Sequence, residues 1–363
     1  MTIPLFKVRM SPCASHNLEK TLNSGFITQG PRVDEFEEAV SMELNLPGAP
    51  IAVSSATAGI DLALDCIGVG PGDEVISTPL TCFATNIGAL RRGARIRWAD
   101  ISPYTGNIDP FSVQELITPR TRAILAVNWA GQFADYAGLK SFGIPVVEDA
   151  AHTWDSFDHD EERGDYIVYS LQAIKFLTAG DGGILVTPEN RHQEARNLRW
   201  YGLDRDNREN FRNTQNITKA GFKFNMNDIS ASIALSNIKD AHRSVLKHQR
   251  NARMLSDALM KIDWAFAVPY RETSSYWVFP VIMVEDNRNP FEQWMNAQGI
   301  QTAQVHFRND SYDVMRDFVE GGLPGVDSFS SHQTNIPCGW WMDERDVQFV
   351  IDRIMEYGAG YVR

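Results

Sequence analysis

The strongest constraint on the fold is a regular alternation of short apolar segments with helical patterns between residues 51 and 188. Turn signals such as the Gly-Pro-Gly-Asp of residues 70–73 separate the segments. The segments cover residues 51–54, 74–77, 95–98, 123–127, 145–148, 166–169 and 183–186. Near-continuous apolar strands with helices between them are typical of a mostly parallel sheet covered on both faces. The pattern therefore predicts an α/β fold with a seven-stranded sheet.

The pattern changes after residue 228. A long helical stretch runs from residue 229 to about residue 262, and we expect an interruption near Lys239 and Asp240. An apolar run at 277–284 and a final helix near 343–357 follow it. A chain of 363 residues is long enough for two domains. We predict a large α/β domain over residues 1–240 and a smaller α+β domain over residues 241–363.

Charge, cysteine usage and hydropathy narrow the class of function. The net charge of -12 argues against general affinity for nucleic acid, which requires basic patches. The four cysteines show neither CxxC pairs nor metal-ligand spacing, so we expect reduced thiols and no metal site. The N-terminus lacks a secretory hydrophobic region, and no segment approaches a membrane-spanning length. These features predict a cytoplasmic protein that acts on small molecules.

One lysine, Lys175, lies in a mostly apolar segment between a predicted strand and the glycine-rich turn at 180–183. Desolvation shifts a lysine towards the neutral amine. A neutral amine can condense with an aldehyde to a Schiff base. Most lone lysines are solvated surface charges. The segment alone therefore leaves two interpretations open, a surface charge and a Schiff-base lysine.

Further polar and aromatic residues follow the predicted strands, where ligands of open parallel sheets bind. The serine- and threonine-rich segment 54–58, which includes Ser55, opens a helix and fits either an anion site or a simple helix cap. Asp149 fits either a partner for a cationic ring nitrogen or a loop cap. His152 is either a ligand to a ring hydroxyl or a polar core residue, and Phe83 either stacks on a planar cofactor or is plain core.

Together these residues form the set that pyridoxal phosphate requires. The set comprises a Schiff-base lysine, a carboxylate for a pyridinium nitrogen, a phosphate site and a stacking aromatic. The ring of this cofactor acts as an electron sink once an amine is bonded to it. The joint occurrence of the four features in one chain is far more specific than any one of them.

Three motifs resemble those of the sugar aminotransferases of the DegT/DnrJ/EryC1/StrS family. They are the Gly-Val-Gly-Pro-Gly-Asp-Glu-Val-Ile of residues 68–76, the Glu-Asp-Ala-Ala-His of residues 148–152, and the segment 170–175 with the turn at 180–183. The resemblance extends over nearly the whole chain, from residue 28 to the C-terminal helix. It implies the fold of type I pyridoxal-phosphate enzymes (aspartate aminotransferase-like), pyridoxal 5′-phosphate as cofactor, and a homodimer whose subunits share the active sites.

The resemblance also implies a role for each matching residue. Lys175 would form the Schiff base and move the proton, and Asp149 would pair with the pyridine nitrogen. His152 would contact the 3-hydroxyl of the ring, and Phe83 would stack on the ring. The remaining cofactor-binding residues would be Ser55, Thr57, the Ala58 backbone and Ser170 around the phosphate, with Gln172 nearby and Lys223 reaching in from the partner subunit.

Two departures from the family pattern bear on these roles. Ala56 stands where the family usually has a glycine, and Ala56 is strained if that position requires a positive φ. Residues 223–226 read Lys-Phe-Asn-Met where Asn-Tyr-Arg-Met is common. A lysine can still bind phosphate as a point charge. This variant is similar to that of members that make 4-amino-4-deoxyarabinose.

The implied activity is transfer of an amino group from L-glutamate to a nucleotide-linked keto sugar, with C4 amination of a 4-keto-6-deoxy sugar favoured over C3 amination of a 3-keto sugar. A sugar dehydratase on the same scaffold would carry a histidine in place of Lys175. A non-catalytic regulator and a type I enzyme that uses amino acids only also stay open. Candidates for binding the sugar nucleotide are Arg205, Arg208, His306 and Arg308, and the arginines also fit a solvated loop.

Overall fold

The computed structural model describes residues 2–44, 46–154, 162–207 and 214–361, and a seven-stranded sheet lies at its centre. The strands are β1 Pro50–Val53, β2 Glu74–Ser77, β3 Arg95–Trp98, β4 Thr121–Val127, β5 Val146–Asp149, β6 Tyr166–Ser170 and β7 Gly183–Val186. Their order is β1-β7-β6-β5-β4-β2-β3. All neighbouring strands are parallel except at β7, which runs antiparallel to β1 and β6. The predicted mostly parallel sheet is confirmed.

Helices cover this sheet and make up much of the rest of the described chain. They are α1 Ala14–Asn23, α2 Pro31–Glu43, α3 Ala56–Ile67, α4 Phe83–Arg91, α5 Pro110–Leu116, α6 Tyr136–Lys140, α7 His192–Arg199, α8 Asp228–Leu259, α9 Arg288–Ala297, α10 Pro324–His332 and α11 Glu344–Tyr361. Local sequence explains several of their ends. Pro31 occupies the first turn of α2, where its missing N–H costs nothing, and Gly68 ends α3 in the left-handed conformation at φ 85°.

Helix α8 is continuous, so the interruption predicted near Lys239 and Asp240 is wrong. The helix contains neither glycine nor proline, the residues that usually break helices. Asn227 caps its N-terminus, because the Asn227 side chain accepts a hydrogen bond from the N–H of Ser230 at 2.8 Å. The helix continues through Asp240, whose carboxylate pairs with Arg9 at 3.1 Å.

A second, three-stranded sheet lies in the C-terminal part of the chain. Its strands are β8 Ala265–Ala267, β9 Phe279–Met283 and β10 Gln333–Ile336, and both neighbouring pairs are antiparallel. A separate cluster of buried apolar residues packs around it, including Phe279, Phe291 and Val350. This agrees with the predicted α+β character. The domain boundary at residue 240 stays a prediction, and α8 runs across that position.

The large sheet brings the carboxyl ends of its central strands together. Val127 at the end of β4 pairs with Asp149 at the end of β5, and Asp149 pairs in turn with Val168 of β6. Loops that follow these strands therefore meet at one edge of the sheet. In the part of the chain that the structure describes, no helix combines the length and apolar character needed to cross a membrane. All four cysteines are unpaired.

Candidate active site

A pocket of about 960 Å³ opens where β4, β5 and β6 end. Its walls come from the first turn of α3, the segment before α4, the ends of the central strands and the loop after β6. The N-terminal residues Leu5 and Phe6, together with residues 301–303, 305 and 306 before α10, also line it. The pocket thus combines parts of the chain that are far apart in sequence.

Lys175 lies on the wall of this pocket, in the loop after β6. Hydrogen bonds shape the loop: the N–H of Lys175 donates to the Gln172 carbonyl at 2.9 Å, and the N–H of Ile174 donates to the Gln172 side chain at 3.0 Å. The Lys175 ammonium lies 3.5 Å from the centre of the Trp277 ring. Burial lowers the pKa of Lys175 to about 8, although Asp149 and Cys82 act in the opposite direction.

Asp149 ends β5 and is buried. One of its oxygens accepts a hydrogen bond from the Thr85 hydroxyl at 2.7 Å, and the other accepts one from the Ala151 N–H at 3.0 Å. Because the Thr85 proton is used in this way, the Thr81 hydroxyl is the donor in its 2.7 Å bond to Thr85. Burial raises the pKa of Asp149, while these hydrogen bonds and the charge of Lys175 lower it.

The first turn of α3 forms one end of the pocket. Ser55 precedes the helix, and its hydroxyl accepts a hydrogen bond from the Ala58 N–H at 3.1 Å. Ser55, Ala56 and Thr57 line the pocket, and helix geometry leaves the first-turn N–H groups without partners inside the helix. Ala56 does not adopt a positive φ, so the strain considered for this position is not present.

The other cofactor-binding candidates of the central strands are placed as follows. Ser170, the last residue of β6, and Gln172 line the pocket. Phe83 begins α4 and is half-buried, and its ring packs edge-on against Tyr312 at 5.3 Å between ring centres. Phe83 itself is not among the residues that line the pocket. Its stacking on a cofactor ring stays a prediction.

Two histidines and a tryptophan form a stacked wall of the pocket. His152 stacks on Trp277 with 4.1 Å between ring centres and 19° between the planes. His306 lies parallel to His152, and their Nε2 atoms are 3.3 Å apart. Burial lowers the pKa of His152 well below its ordinary value and that of His306 to about 3, and the nearby charge of Lys175 acts in the same direction.

Three of the other predicted basic residues, Lys223, Arg205 and Arg308, are not among the residues that line the pocket of this chain. Lys223 is exposed, with its ammonium 3.2 Å from the centre of the Trp200 ring, and Arg205 packs against the same ring at 4.4 Å. Arg308 forms ion pairs with Asp310 at 2.6 Å and with Asp327. Arg208 lies outside the described residues.

Sequence reasoning missed two residues that line the pocket, Trp277 and Phe6, and one buried residue that bonds Asp149, Thr85. Trp277 stands in an apolar run that indicates core, and only the fold brings it to Lys175. Phe6 stacks on Trp277 with 4.8 Å between ring centres. No local pattern in the N-terminal segment predicts this contact. The sequence analysis did not single out Thr85 either. Its position near the start of a helix that follows a strand is typical of a ligand-binding edge and could have indicated it.

The residues present fit pyridoxal phosphate. The buried Asp149 carboxylate accepts hydrogen bonds from two neutral donors, the Thr85 hydroxyl and the Ala151 N–H, so a pyridinium N–H would supply a cationic partner. Nδ1 of His152 is buried without a hydrogen-bond partner in the described structure. A Cβ on Gly183 would lie 2.6 Å from the Ala56 nitrogen, so glycine leaves the backbone at the start of α3 undisturbed for an anion.

Comparison with known proteins agrees with this geometry. A model of the DegT/DnrJ/EryC1/StrS aminotransferase family matches residues 11–355. The chain is 27% identical to the spore coat polysaccharide biosynthesis protein SpsC of Bacillus subtilis, over 94% of this chain and 93% of SpsC. Among solved structures it is similar to AtS13 from Actinomadura melliaura, with 35% identity, 98% of both chains covered and a TM-score of 0.92. It is also similar to the sugar aminotransferase CalS13 from Micromonospora echinospora, with 32% identity, 98% of this chain and 99% of CalS13 covered, and a TM-score of 0.89.

Proposed function

The chain belongs to the DegT/DnrJ/EryC1/StrS aminotransferase family, and from this premise we propose that it is a pyridoxal-phosphate-dependent sugar aminotransferase. It moves an amino group from L-glutamate to a nucleotide-linked 4-keto-6-deoxy sugar, with amination at C4. One observation carries the proposal: a lysine whose pKa burial lowers to about 8 shares a pocket with a buried carboxylate. The lysine fits the aldehyde of the cofactor, and the carboxylate fits its pyridine nitrogen.

Each residue of the pocket has a distinct task in this proposal. When bound, pyridoxal phosphate supplies an electron sink for the carbanion that forms at the amino-acid α-carbon. Lys175 would hold the cofactor through its Nζ atom, and the free amine would accept the α-proton of the donor at Nζ. A base with a pKa near the working pH is best suited to this transfer, and the pKa of Lys175 of about 8 meets that condition.

Asp149 keeps the ring nitrogen protonated, because a buried carboxylate strongly favours a cationic neighbour. The hydroxyl of Thr85 holds the carboxylate in place through a hydrogen bond of 2.7 Å. The first turn of α3, with Ser55 and Thr57, binds the phosphate through N–H groups and hydroxyls. His152 contacts the 3-oxygen of the ring.

The substrate is the less constrained half of the proposal. The relatives support a sugar substrate, since CalS13 is a sugar aminotransferase and SpsC is a polysaccharide biosynthesis protein. The nucleotide on that sugar is part of our proposal. The lysine-containing variant at 223–226 favours C4 over C3 amination. Lys175 itself argues against a dehydratase, in which a histidine would take its place.

For sugar binding, His306 is the best placed of the three candidates that the structure describes, because it lines the pocket and Arg205 and Arg308 do not. Arg308 is a weaker candidate, since two aspartates already compensate its charge. Arg205 and Arg208 remain proposals for the diphosphate. A homodimer and a cytoplasmic location also belong to this proposal, the latter because unpaired cysteines are typical of a reducing compartment.

The spectrum of the protein with pyridoxal phosphate tests the function. L-glutamate should bleach the visible band of the bound cofactor, and a 4-keto-6-deoxy sugar nucleotide should restore it. A 3-keto sugar nucleotide serves as the matched comparison for the position of amination. A band that no amino donor bleaches would reject the aminotransferase.

We expect Asp149→Ala to keep some cofactor but to lose turnover by roughly a hundredfold or more, because the ring nitrogen loses its anionic partner. Asp149→Asn is the matched control, since it keeps the shape and removes only the charge. Steady-state turnover with L-glutamate measures both variants. Unchanged turnover in Asp149→Ala would reject the role assigned to this carboxylate.

A further inference from the structure

His152 and His306 form a pair that the family resemblance does not explain. His152 follows β5, and His306 lies in the segment before the 3-10 helix Asn309–Ser311. The two rings are nearly parallel, with 6° between their planes, and their Nε2 atoms face each other at 3.3 Å. Trp129 packs edge-on against both rings, at 5.8 Å from His152 and 5.7 Å from His306.

The pair must contain two different tautomers. Both imidazoles are neutral near neutral pH, since burial lowers the pKa of each and the facing charge of Lys175 adds to the effect. Asp149, which faces Lys175, is the other charged group of this cluster. A hydrogen bond between two neutral imidazoles needs one Nε2–H donor and one bare Nε2 acceptor. One ring therefore carries its proton on Nε2, and the other carries it on Nδ1.

This choice decides what His152 can offer to a ligand. Nδ1 of His152 is buried and has no partner among the described residues. If His306 is the donor, the proton of His152 is on Nδ1, and this atom can donate to an anionic oxygen. If His152 is the donor, its Nδ1 is bare and can only accept.

His306 and Trp277, the two rings that contact His152, each follow a residue with a strained backbone conformation. Val305, directly before His306, has a φ of 72°, which is a genuine outlier for a β-branched residue. Tyr276, directly before Trp277, has a φ of 52°. Its carbonyl accepts a hydrogen bond from His248 Nδ1 at 2.7 Å. Strain of this kind is concentrated at functional positions, which argues that the placement of His306 matters.

We propose that His306 is a positioning residue that donates its Nε2–H to Nε2 of His152 and thereby holds the His152 proton on Nδ1. There the proton is donated to the 3-oxygen of the cofactor, which is anionic beside a protonated ring nitrogen. This step rests on the proposed function, because it takes pyridoxal phosphate as the ligand. The strained Val305 keeps His306 within reach of His152.

The pH titration of the visible band of bound pyridoxal phosphate tests this pair without any substrate. A donor to the 3-oxygen stabilises its negative charge, so loss of His306 should raise the midpoint of the titration by about one pH unit. His306→Leu removes the donor, whereas His306→Gln places an amide N–H at a similar reach and should restore the midpoint. His16→Gln, an exposed histidine of α1, is the control for histidine loss in general.

The outcomes separate this inference from the proposed function. A wild-type protein without a visible band would reject the proposed function itself. A band that forms and bleaches with L-glutamate, but titrates identically in the wild type and in His306→Leu, would overturn the role of His306. A structural role alone would not predict rescue by His306→Gln.

A second measurement needs no variant. Nitrogen NMR of the imidazoles in the wild-type protein with bound pyridoxal phosphate distinguishes Nδ1–H from Nε2–H tautomers. We expect His152 as the Nδ1–H form and His306 as the Nε2–H form. The opposite assignment would overturn the proposal even if His306→Leu failed to fold.

Discussion

At the scale of single residues, burial moves the pKa values of the two central groups towards each other. The pKa of Lys175 falls to about 8, and that of Asp149 rises above its ordinary value. Desolvation is the largest cause for both, and the attraction between the two charges only reduces it. The pocket therefore disfavours both charges in the absence of a ligand, and a cofactor that consumes the amine and supplies a ring cation relieves both costs.

The desolvation penalty of the Lys175 ammonium predicts that the stability of the cofactor-free protein depends on pH. The folded-state pKa of Lys175, about 8, lies below its ordinary value of 10.5, so the full penalty is present below pH 8. Between these two values the unfolded chain binds more protons, and stability rises with pH. We expect Lys175→Met to stabilise the protein at pH 7 by at most about 3 kcal/mol, with the gain shrinking towards pH 10. Denaturant unfolding at both pH values measures the difference.

Lys247→Met is the control, because Lys247 is exposed on α8. Its effect on stability should be small and nearly independent of pH. If Lys175→Met were no more stable than the wild type at pH 7, the claim that burial of the Lys175 charge destabilises the protein would be wrong.

At the scale of elements, the sequence was most informative about the strands of the large sheet. All seven predicted segments coincide with strands, because each combines a buried apolar run with turn signals at its ends. The antiparallel direction of β7 was not predicted, since direction depends on how the chain returns and not on composition. The contacts that complete the site could not be predicted from the sequence either. Lys175 and Trp277, or His152 and His306, meet only through the tertiary fold.

The close contact between β7 and the start of α3 leads to a prediction about the phosphate site. Gly183 pairs with Val53 of β1 and Ser170 of β6, and a Cβ there would lie 2.6 Å from backbone atoms of Ser55 and Ala56. Backbone atoms cannot move cheaply, so Gly183→Ala should displace the first turn of α3. We expect a stability loss of about 1–3 kcal/mol and a weaker affinity for pyridoxal phosphate. Titration with the cofactor measures the affinity.

Gly70→Ala is the matched control, because a Cβ on Gly70 meets no atom within 4 Å. It should leave cofactor affinity unchanged. Equal cofactor affinity in Gly183→Ala and the wild type would contradict the placement of the phosphate at α3.

At the scale of the whole molecule, two features support the proposed shared active sites. Lys223 lies outside the pocket of its own chain. The N-terminal part of the chain also exposes several large apolar side chains, which monomers rarely leave uncovered when they form a contiguous patch. They are Val8, Met10, Leu22, Phe26 and Ile27. A partner subunit that receives Lys223 and covers these residues would account for both features.

Mixed variants test this arrangement. We expect Lys175→Ala and Lys223→Ala each to be nearly inactive, and an equal mixture to regain about a quarter of the wild-type activity after subunit exchange, because half of the dimers are hybrids with one intact site. Turnover with L-glutamate, measured before and after exchange, detects the recovery. No recovery, with hybrid dimers demonstrated by mass, would place Lys223 in the site of its own chain.

Chemical reduction of the cofactor-loaded protein tests the central claim most directly. Borohydride converts a carbon–nitrogen double bond between a lysine and an aldehyde into a stable amine, and peptide mass mapping then locates the modified residue. We predict that pyridoxal phosphate is attached to Lys175 and that Lys175→Ala removes the label. A label on another lysine, or no label at all on a protein that binds the cofactor, would contradict the account.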